Sequence, residues 1–202
     1  MNASGAGVPG AGQGPVAGGA RDEVGRRTLH VASGLLGPLA AALGHGVAAP
    51  AFAGLVLVAC GAEAARLRWP AARSTLVRWA GGWFRPAEAS GVSGAAILAV
   101  GYALTWWLFP GAAAERAILV TAVADPMAAT VGTRFGGGRR KSWAGSAACA
   151  ATAALVLLLT GLPLGVATAA AAAAAAIERA PWRGADNLLV PVGVAAVLGW
   201  LA

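Results

Sequence analysis

Seven apolar runs separated by short basic loops decide what this chain can fold into. They lie at about 28–44, 47–62, 92–110, 114–133, 146–161, 163–177 and 188–202. Backbone N–H and C=O groups cannot stay unpaired in hydrocarbon, so repeated apolar runs predict helices. Hydrophobic residues are 58% and charged residues 11% of the chain, against roughly 45–50% and 25% in soluble domains. The expected fold is all-α, a polytopic membrane bundle of about seven short transmembrane helices. Residues 1–20 are Gly, Ala, Pro and small polar residues and read as a disordered tail; residues 21–202 read as one membrane-embedded domain.

Loop charge sets an orientation, because Lys and Arg favour the cytoplasmic side. With the N-terminus in the cytoplasm, alternate loops carry fourteen of the fifteen basic residues inward, and Arg116 alone falls outside. The net charge of +7 is therefore spread through loops facing anionic headgroups, and nucleic acid is not implied. The segment from Glu63 to Ser90 carries Trp69, Trp79 and Trp83 among five arginines, which suits an amphipathic helix at headgroup level. The tract Ala169–Ala176 suits close helix packing. Cys60 and Cys149 sit in apolar surroundings and read as small buried hydrophobes, with no disulfide or metal framework. Composition sets no oligomeric state, and a homo-oligomer is compatible with it.

The chemistry concentrates between Asp125 and Ser146. Asp125 interrupts an apolar run, where an ionised group costs about 2.5–3.5 kcal/mol and reads by default as functional. Pro126 removes a helical hydrogen bond beside it, so a carboxylate with loosened carbonyls becomes a seat for Mg²⁺. Gly132, Gly136, Gly137 and Gly138 can bring backbone N–H groups close to phosphate, although the order of a P-loop is absent. Arg134, Arg139, Arg140 and Lys141 supply cations, and Lys141-Ser142 opens a helix whose N-terminus favours an anion. Glu178, Asp186 and Asn187 fall at cytoplasmic ends, where they could complete a metal or ribose site. Arg26, Arg27 and His30 lie within about one helical turn of each other.

Asp125-Pro-Met-Ala, Gly132, Phe135-Gly136 and Lys141-Ser142-x-x-Gly145-Ser146 together resemble the signature of the dolichol kinase, phytol kinase and CTP-dependent diacylglycerol kinase family. That family lies in the wider phosphatidate cytidylyltransferase-like group. Arg26-Arg27-Thr-Leu-His30, Glu88 with Ser93-Gly94, and Glu178 with Asp186-Asn187-Leu-Leu-Val-Pro191 resemble its flanking elements, in the family's order. Trp143-Ala144 stands where Leu-Glu is frequent, and Ala185 where a first Asp is frequent. The resemblance implies a multi-pass membrane enzyme transferring phosphate from CTP, with Mg²⁺, to phytol, a polyprenol or diacylglycerol at the cytoplasmic leaflet. It implies Asp125, Lys141 and Glu178 as catalytic residues and Asp125 with Asp186 at the metal. Gly132, Gly136–Gly138, Ser142, Gly145, Asp186 and Asn187 would hold the nucleotide, and Arg27, His30 and Glu88 the lipid headgroup.

Three rivals stand beside this reading. A phosphatidate cytidylyltransferase, making CDP-diacylglycerol, would use the same nucleotide. A small transporter would need a second acidic or polar residue deep in another span, and no strong candidate is found. A degenerate, non-catalytic member is motivated by Ala144 and Ala185.

Overall fold

The computed structural model describes residues 18–80, 88, 91–109, 111–137, 141–180 and 184–201. Among them the chain forms helices and no strand. In order these are α1 (Gly18–Ser33), α2 (Leu36–Leu43), α3 (His45–Arg68), α4 (Pro70–Ala80), α5 (Gly94–Leu108), α6 (Ala112–Phe135), α7 (Trp143–Leu159), α8 (Leu164–Arg179) and α9 (Asp186–Leu201). The apolar runs expected from about residue 92 onward coincide with α5–α9. The first expected run is split at Gly34–Leu35 into α1 and α2, and α1 begins at Gly18, inside the stretch expected to be a tail.

Local chemistry sets the helix ends. Ser93 accepts from the Ala96 N–H at 3.3 Å and starts α5; Ser142 accepts from the Gly145 N–H at 3.0 Å and starts α7. Gly44, with φ +74°, turns the chain sharply between α2 and α3, where a side chain would be strained. α4 accounts for part of the expected interfacial helix, while Trp83 and Arg85 lie outside the described residues.

α6 is the central helix and packs against α1, α2, α5, α7 and α9. On one side, Val120, Ala124, Cys149, Ala153, Leu157, Ala170 and Val194 join α6–α9 into one core. On the other, Phe52, Tyr102, Trp106 and Ile118 join α3, α5 and α6. Small residues permit this approach. Ala167, Ala170, Ala171 and Ala174 of the alanine-rich helix are buried, and Gly34 and Gly37 abut α6 so closely that a Cβ would lie 2.7 Å from Ala122 Cβ or 2.8 Å from the Glu115 carbonyl.

The number of membrane crossings is where the expectation must be narrowed. Only α3 among the described helices is both long and apolar enough to cross a bilayer, at 24 residues. α5, α7 and α9 are apolar but have 15, 17 and 16 residues, short of the ~20 that a typical hydrocarbon core needs. α6 has the length, with 24 residues, but carries Glu115, Arg116, Asp125 and Arg134. The established architecture is therefore an all-helical bundle. Cys149 is buried as expected, whereas Cys60 is exposed on α3.

Candidate functional site

Asp125 sits at the middle of α6, one residue before the helix-internal Pro126. Its Oδ2 lies 4.0 Å from His30 Nε2 of α1. One turn earlier on α1, Arg27 donates to Thr130 Oγ1 at 2.7 Å and pairs with Glu23. Thr130 in turn donates to the Pro126 carbonyl at 2.6 Å, so α1 is fastened to α6 on both sides of the kink-prone residue. Ser33 Oγ donates to the His30 carbonyl at 2.6 Å and lies 3.1 Å from the hydroxyl of the buried Tyr102 on α5.

α5 and α9 supply the opposite wall. Glu88 accepts from the Gly94 N–H at 3.1 Å, and Asn187 Nδ2 donates to the Gly94 carbonyl at 2.9 Å. Glycine is required on this face. A Cβ on Gly101 would run into the backbone at Asn187, and one on Gly94 would lie 3.0 Å from Asn187 Nδ2. Arg26, Arg27, His30, Glu88, Asp125 and Asn187 thereby line one cavity of about 310 Å³, together with Leu36, Leu55, Leu98 and Tyr102. Arg27, His30, Glu88, Asp125 and Asn187 were all expected at a site, and the fold brings them together.

Lys141, Glu178 and Asp186 form a second cluster. Lys141 Nζ lies 2.8 Å from Glu178 Oε1 and 3.0 Å from Asp186 Oδ2, and Ser146 Oγ donates to Glu178 Oε2 at 3.1 Å. Burial pushes the Lys141 pKa down, but the Glu178 hydrogen bond and the Asp186 charge outweigh it and leave the ammonium above the ordinary lysine range. Two carboxylates thus balance Lys141, which is not a spare cation for a phosphate. The cluster joins the start of α7 to the end of α8 and the start of α9.

The glycines expected to cradle phosphate take a different part here. Gly132, Gly136 and Gly145 lie in the junction between α6 and α7. A Cβ on Gly145 would come 2.9 Å from the Ala128 carbonyl, and one on Gly136 would lie 2.6 Å from Ser142 Cβ. The Gly136 N–H already bonds the Gly132 carbonyl at 2.9 Å, and the Gly145 N–H bonds Ser142 Oγ at 3.0 Å. These residues serve close packing rather than offering open donors. Gly137 has φ +61° and open space around its Cβ position. Gly138, Arg139 and Arg140 lie outside the described residues.

The two clusters are neighbours. Asp186 and Asn187 are consecutive in the first turn of α9, one facing Lys141 and the other the cavity.

No three His, Cys, Asp or Glu side chains gather as a metal site among the described residues. Asp125 offers one carboxylate to the cavity, which fits Mg²⁺, an ion that takes one or two protein carboxylates and completes its shell with phosphate and water. Asp186 does not fit as its co-ligand in this arrangement. Its Oδ2 holds the Lys141 ammonium and its Oδ1 accepts from the Asn187 N–H at 3.2 Å.

Two side-chain pairs escaped sequence reasoning. Tyr102 and Ser33 are bonded inside the cavity wall. Glu63 and Arg66 form a buried ion pair on α3, and Glu63 also accepts from Ser93 N at 2.9 Å and Ser93 Oγ at 3.0 Å. Arg66 donates to the Gly91 carbonyl at 2.5 Å, so the pair anchors the segment entering α5. The i, i+3 spacing of opposite charges at the end of an apolar run is the signal that could have found it.

No protein-family model, no curated protein and no solved structure matches this chain.

Proposed function

We propose that the chain is an integral membrane enzyme of several spans that transfers phosphate from CTP to the hydroxyl of a lipid alcohol, in the manner of the dolichol and phytol kinase family it resembles. One observation carries the reading. Arg27 and His30 from α1, Glu88 from before α5, Asp125 from α6 and Asn187 from α9 line a single cavity, although they come from four separate parts of the chain. Acid, imidazole, guanidinium and amide groups converging on an otherwise apolar hollow are the default signature of a ligand site.

Roles follow from position. The Asp125 carboxylate, with His30 beside it, orients the attacking hydroxyl and receives its proton. The lipid oxygen forms a bond to the γ-phosphorus as the bond from that phosphorus to the β–γ bridging oxygen breaks, and CDP leaves. Arg26 and Arg27 at the mouth offset phosphate charge, which is most of what phosphoryl transfer asks of a protein. Mg²⁺ seated on Asp125 would supply further neutralisation of the phosphate oxygens. Lys141, Glu178 and Asp186 act indirectly, by fixing the first turn of α9 and so Asn187. In this reading α3 spans the bilayer, the shorter helices cross by local thinning or behind longer neighbours, and the mouth faces the cytoplasm.

Product identity tests the reading. Purified protein in lipid nanodiscs, given CTP, Mg²⁺ and a panel of phytol, polyprenol and diacylglycerol, is expected to release CDP and a lipid monophosphate. Release of pyrophosphate from CTP and phosphatidate would replace the kinase with a cytidylyltransferase. Nucleotide-independent ion flux in liposomes, with no CTP turnover, would replace both with a transporter.

A further inference from the structure

Trp143 opens α7 and Arg179 closes α8. The two helices pack on one another across a short turn, so these residues meet at one end of the bundle. The guanidinium carbon of Arg179 lies 3.6 Å from the centre of the Trp143 ring. At that distance the electron-rich face of the indole holds the cation in place. The stack fixes Arg179 without satisfying it. Its Nη1 is closed off from solvent and has no hydrogen-bond partner among the described residues. A buried N–H on a charged group is costly to leave unpaired, and such a donor marks a place where an ion or ligand supplies the acceptor.

The nearby carboxylates are already engaged. Glu178 gives Oε1 to Lys141 and Oε2 to Ser146, and Asp186 holds Lys141 and the Asn187 N–H. Local charge favours an anion as the missing acceptor. In the sequence, segments 139–143 and 178–186 carry Arg139, Arg140, Lys141, Arg179 and Arg183 against the two carboxylates Glu178 and Asp186. The same end of the bundle repeats the arrangement at the close of α6, where the Arg134 guanidinium lies 5.6 Å from the centre of the Phe135 ring. Phe135 and Trp143 are 68% and 73% exposed. Exposed aromatic rings with arginines beside them suit lipid headgroup level, where phosphate groups are concentrated. Neither Arg179 nor Trp143 lines the cavity at Asp125.

We propose that Arg179, braced on Trp143, binds a phosphate oxyanion at this end of the bundle, at a site separate from the cavity. A phosphate oxygen accepts from Nη1, and the indole keeps the planar guanidinium from turning away. A lysine would keep the charge and lose both the stack and the planar donor array. The headgroup of an anionic phospholipid and free phosphate share this chemistry. The site stands apart from the kinase reading, because its test involves no turnover.

The probes are dioleoyl phosphatidate, dioleoyl phosphatidylcholine and inorganic phosphate, each added to the full chain in phosphate-free detergent. Native mass spectrometry counts bound lipid, and melting temperature reports binding of any of the three. Phosphatidate is expected to bind more tightly than phosphatidylcholine. Arg179→Gln should weaken phosphatidate binding about tenfold, the loss of about one hydrogen bond to a charged group. Arg179→Lys should recover only part of it, and Trp143→Leu should weaken binding about threefold through loss of the stack. Without ligand, Arg179→Gln should melt where the native chain does, because it removes an unpaired buried donor along with the stack; only the native chain should gain when phosphatidate is added. Arg68→Gln, at the exposed end of α3, should stay within about twofold of the native affinity. Inorganic phosphate separates the two sources. If it alone stabilises the native chain and not Arg179→Gln, the site takes free phosphate; if only phosphatidate does so, the site takes the headgroup. Equal responses of the native chain and Arg179→Gln to both probes, or an equal loss in Arg68→Gln, would overturn the proposal.

Discussion

His30 Nε2 faces Asp125 Oδ2 across 4.0 Å, and this contact brings α1 against the central helix of the bundle. α1 is therefore part of the candidate site. Arg27 is held on Thr130 at 2.7 Å, one turn away on the same pair of helices. Removing that guanidinium withdraws a cation from the mouth and a fastener from the α1–α6 contact. Arg27→Gln is expected to raise the apparent KM for CTP about tenfold, the loss of about one charge-assisted contact to phosphate. The defect should shrink as salt is raised, because screening weakens the same attraction in the native chain. Steady-state kinetics at two ionic strengths would check both effects.

Lys141 should matter for stability before it matters for chemistry. Glu178 and Lys141 side chains are 9% and 21% exposed, so removing the ammonium leaves a buried carboxylate beside Asp186. Lys141→Met is expected to cost about 3 kcal/mol, and pairing it with Glu178→Gln should recover part of that cost. The pH dependence has a definite sign. The folded-state pKa of Lys141 is raised, so its contribution is complete below the ordinary lysine value of about 10.4 and fades as pH climbs through the higher folded value. The difference in melting temperature between the native chain and Lys141→Met should thus be constant from pH 7 to 9 and shrink only in stronger alkali.

Much of the helix layout was legible in the sequence. α5–α9 follow the apolar runs closely because Ser93, Ser142 and the intervening glycines punctuate them with ordinary capping chemistry. The membership of the cavity was legible too, as separate motifs whose meeting place was unknown. Partner choice was not. Lys141 has its two carboxylates 37 and 45 residues away, and nothing local announces them. Gly132, Gly136 and Gly145 illustrate a second reason. A glycine near a basic loop serves equally to approach phosphate or to approach a helix, and only the Ala128 carbonyl 2.9 Å from the Cβ position of Gly145 distinguishes the two. Span number is not fixed by apolar runs for a third reason, since α5, α7 and α9 reach only 15, 17 and 16 residues.

The buried pair on α3 yields a prediction outside the cavity. Arg66 and Glu63 are 3% and 8% exposed and hold Gly91 and Ser93 at the entry to α5. Arg66→Met strands the Glu63 carboxylate and is expected to destabilise the fold by about 3–5 kcal/mol. Adding Glu63→Gln should restore much of it, because the amide oxygen can still accept from Ser93. Denaturant or thermal unfolding of the two variants in the same detergent measures the difference.

Glycine 101 tests the approach of α9 to α5. A side chain there meets the backbone of Asn187 and Leu188, and backbone cannot rotate away. Gly101→Val is expected to cost about 1–3 kcal/mol by overpacking. It should also displace Asn187 from the cavity wall, whereas the same change at Gly61, where nothing lies within 4 Å, should be nearly silent. Melting temperatures of the two variants check this pair.

The proposal that Asp125 serves transfer of phosphate to a lipid hydroxyl has one most direct measurement. It is the rate of CDP formation by the native chain and by Asp125→Asn, in the same nanodiscs with saturating CTP, Mg²⁺ and a lipid alcohol. The substitution keeps the shape of the side chain and removes its charge, so the melting temperature should change little while the rate falls about 10²–10⁴-fold, as loss of a positioned base does. Equal rates in the two proteins would contradict the account.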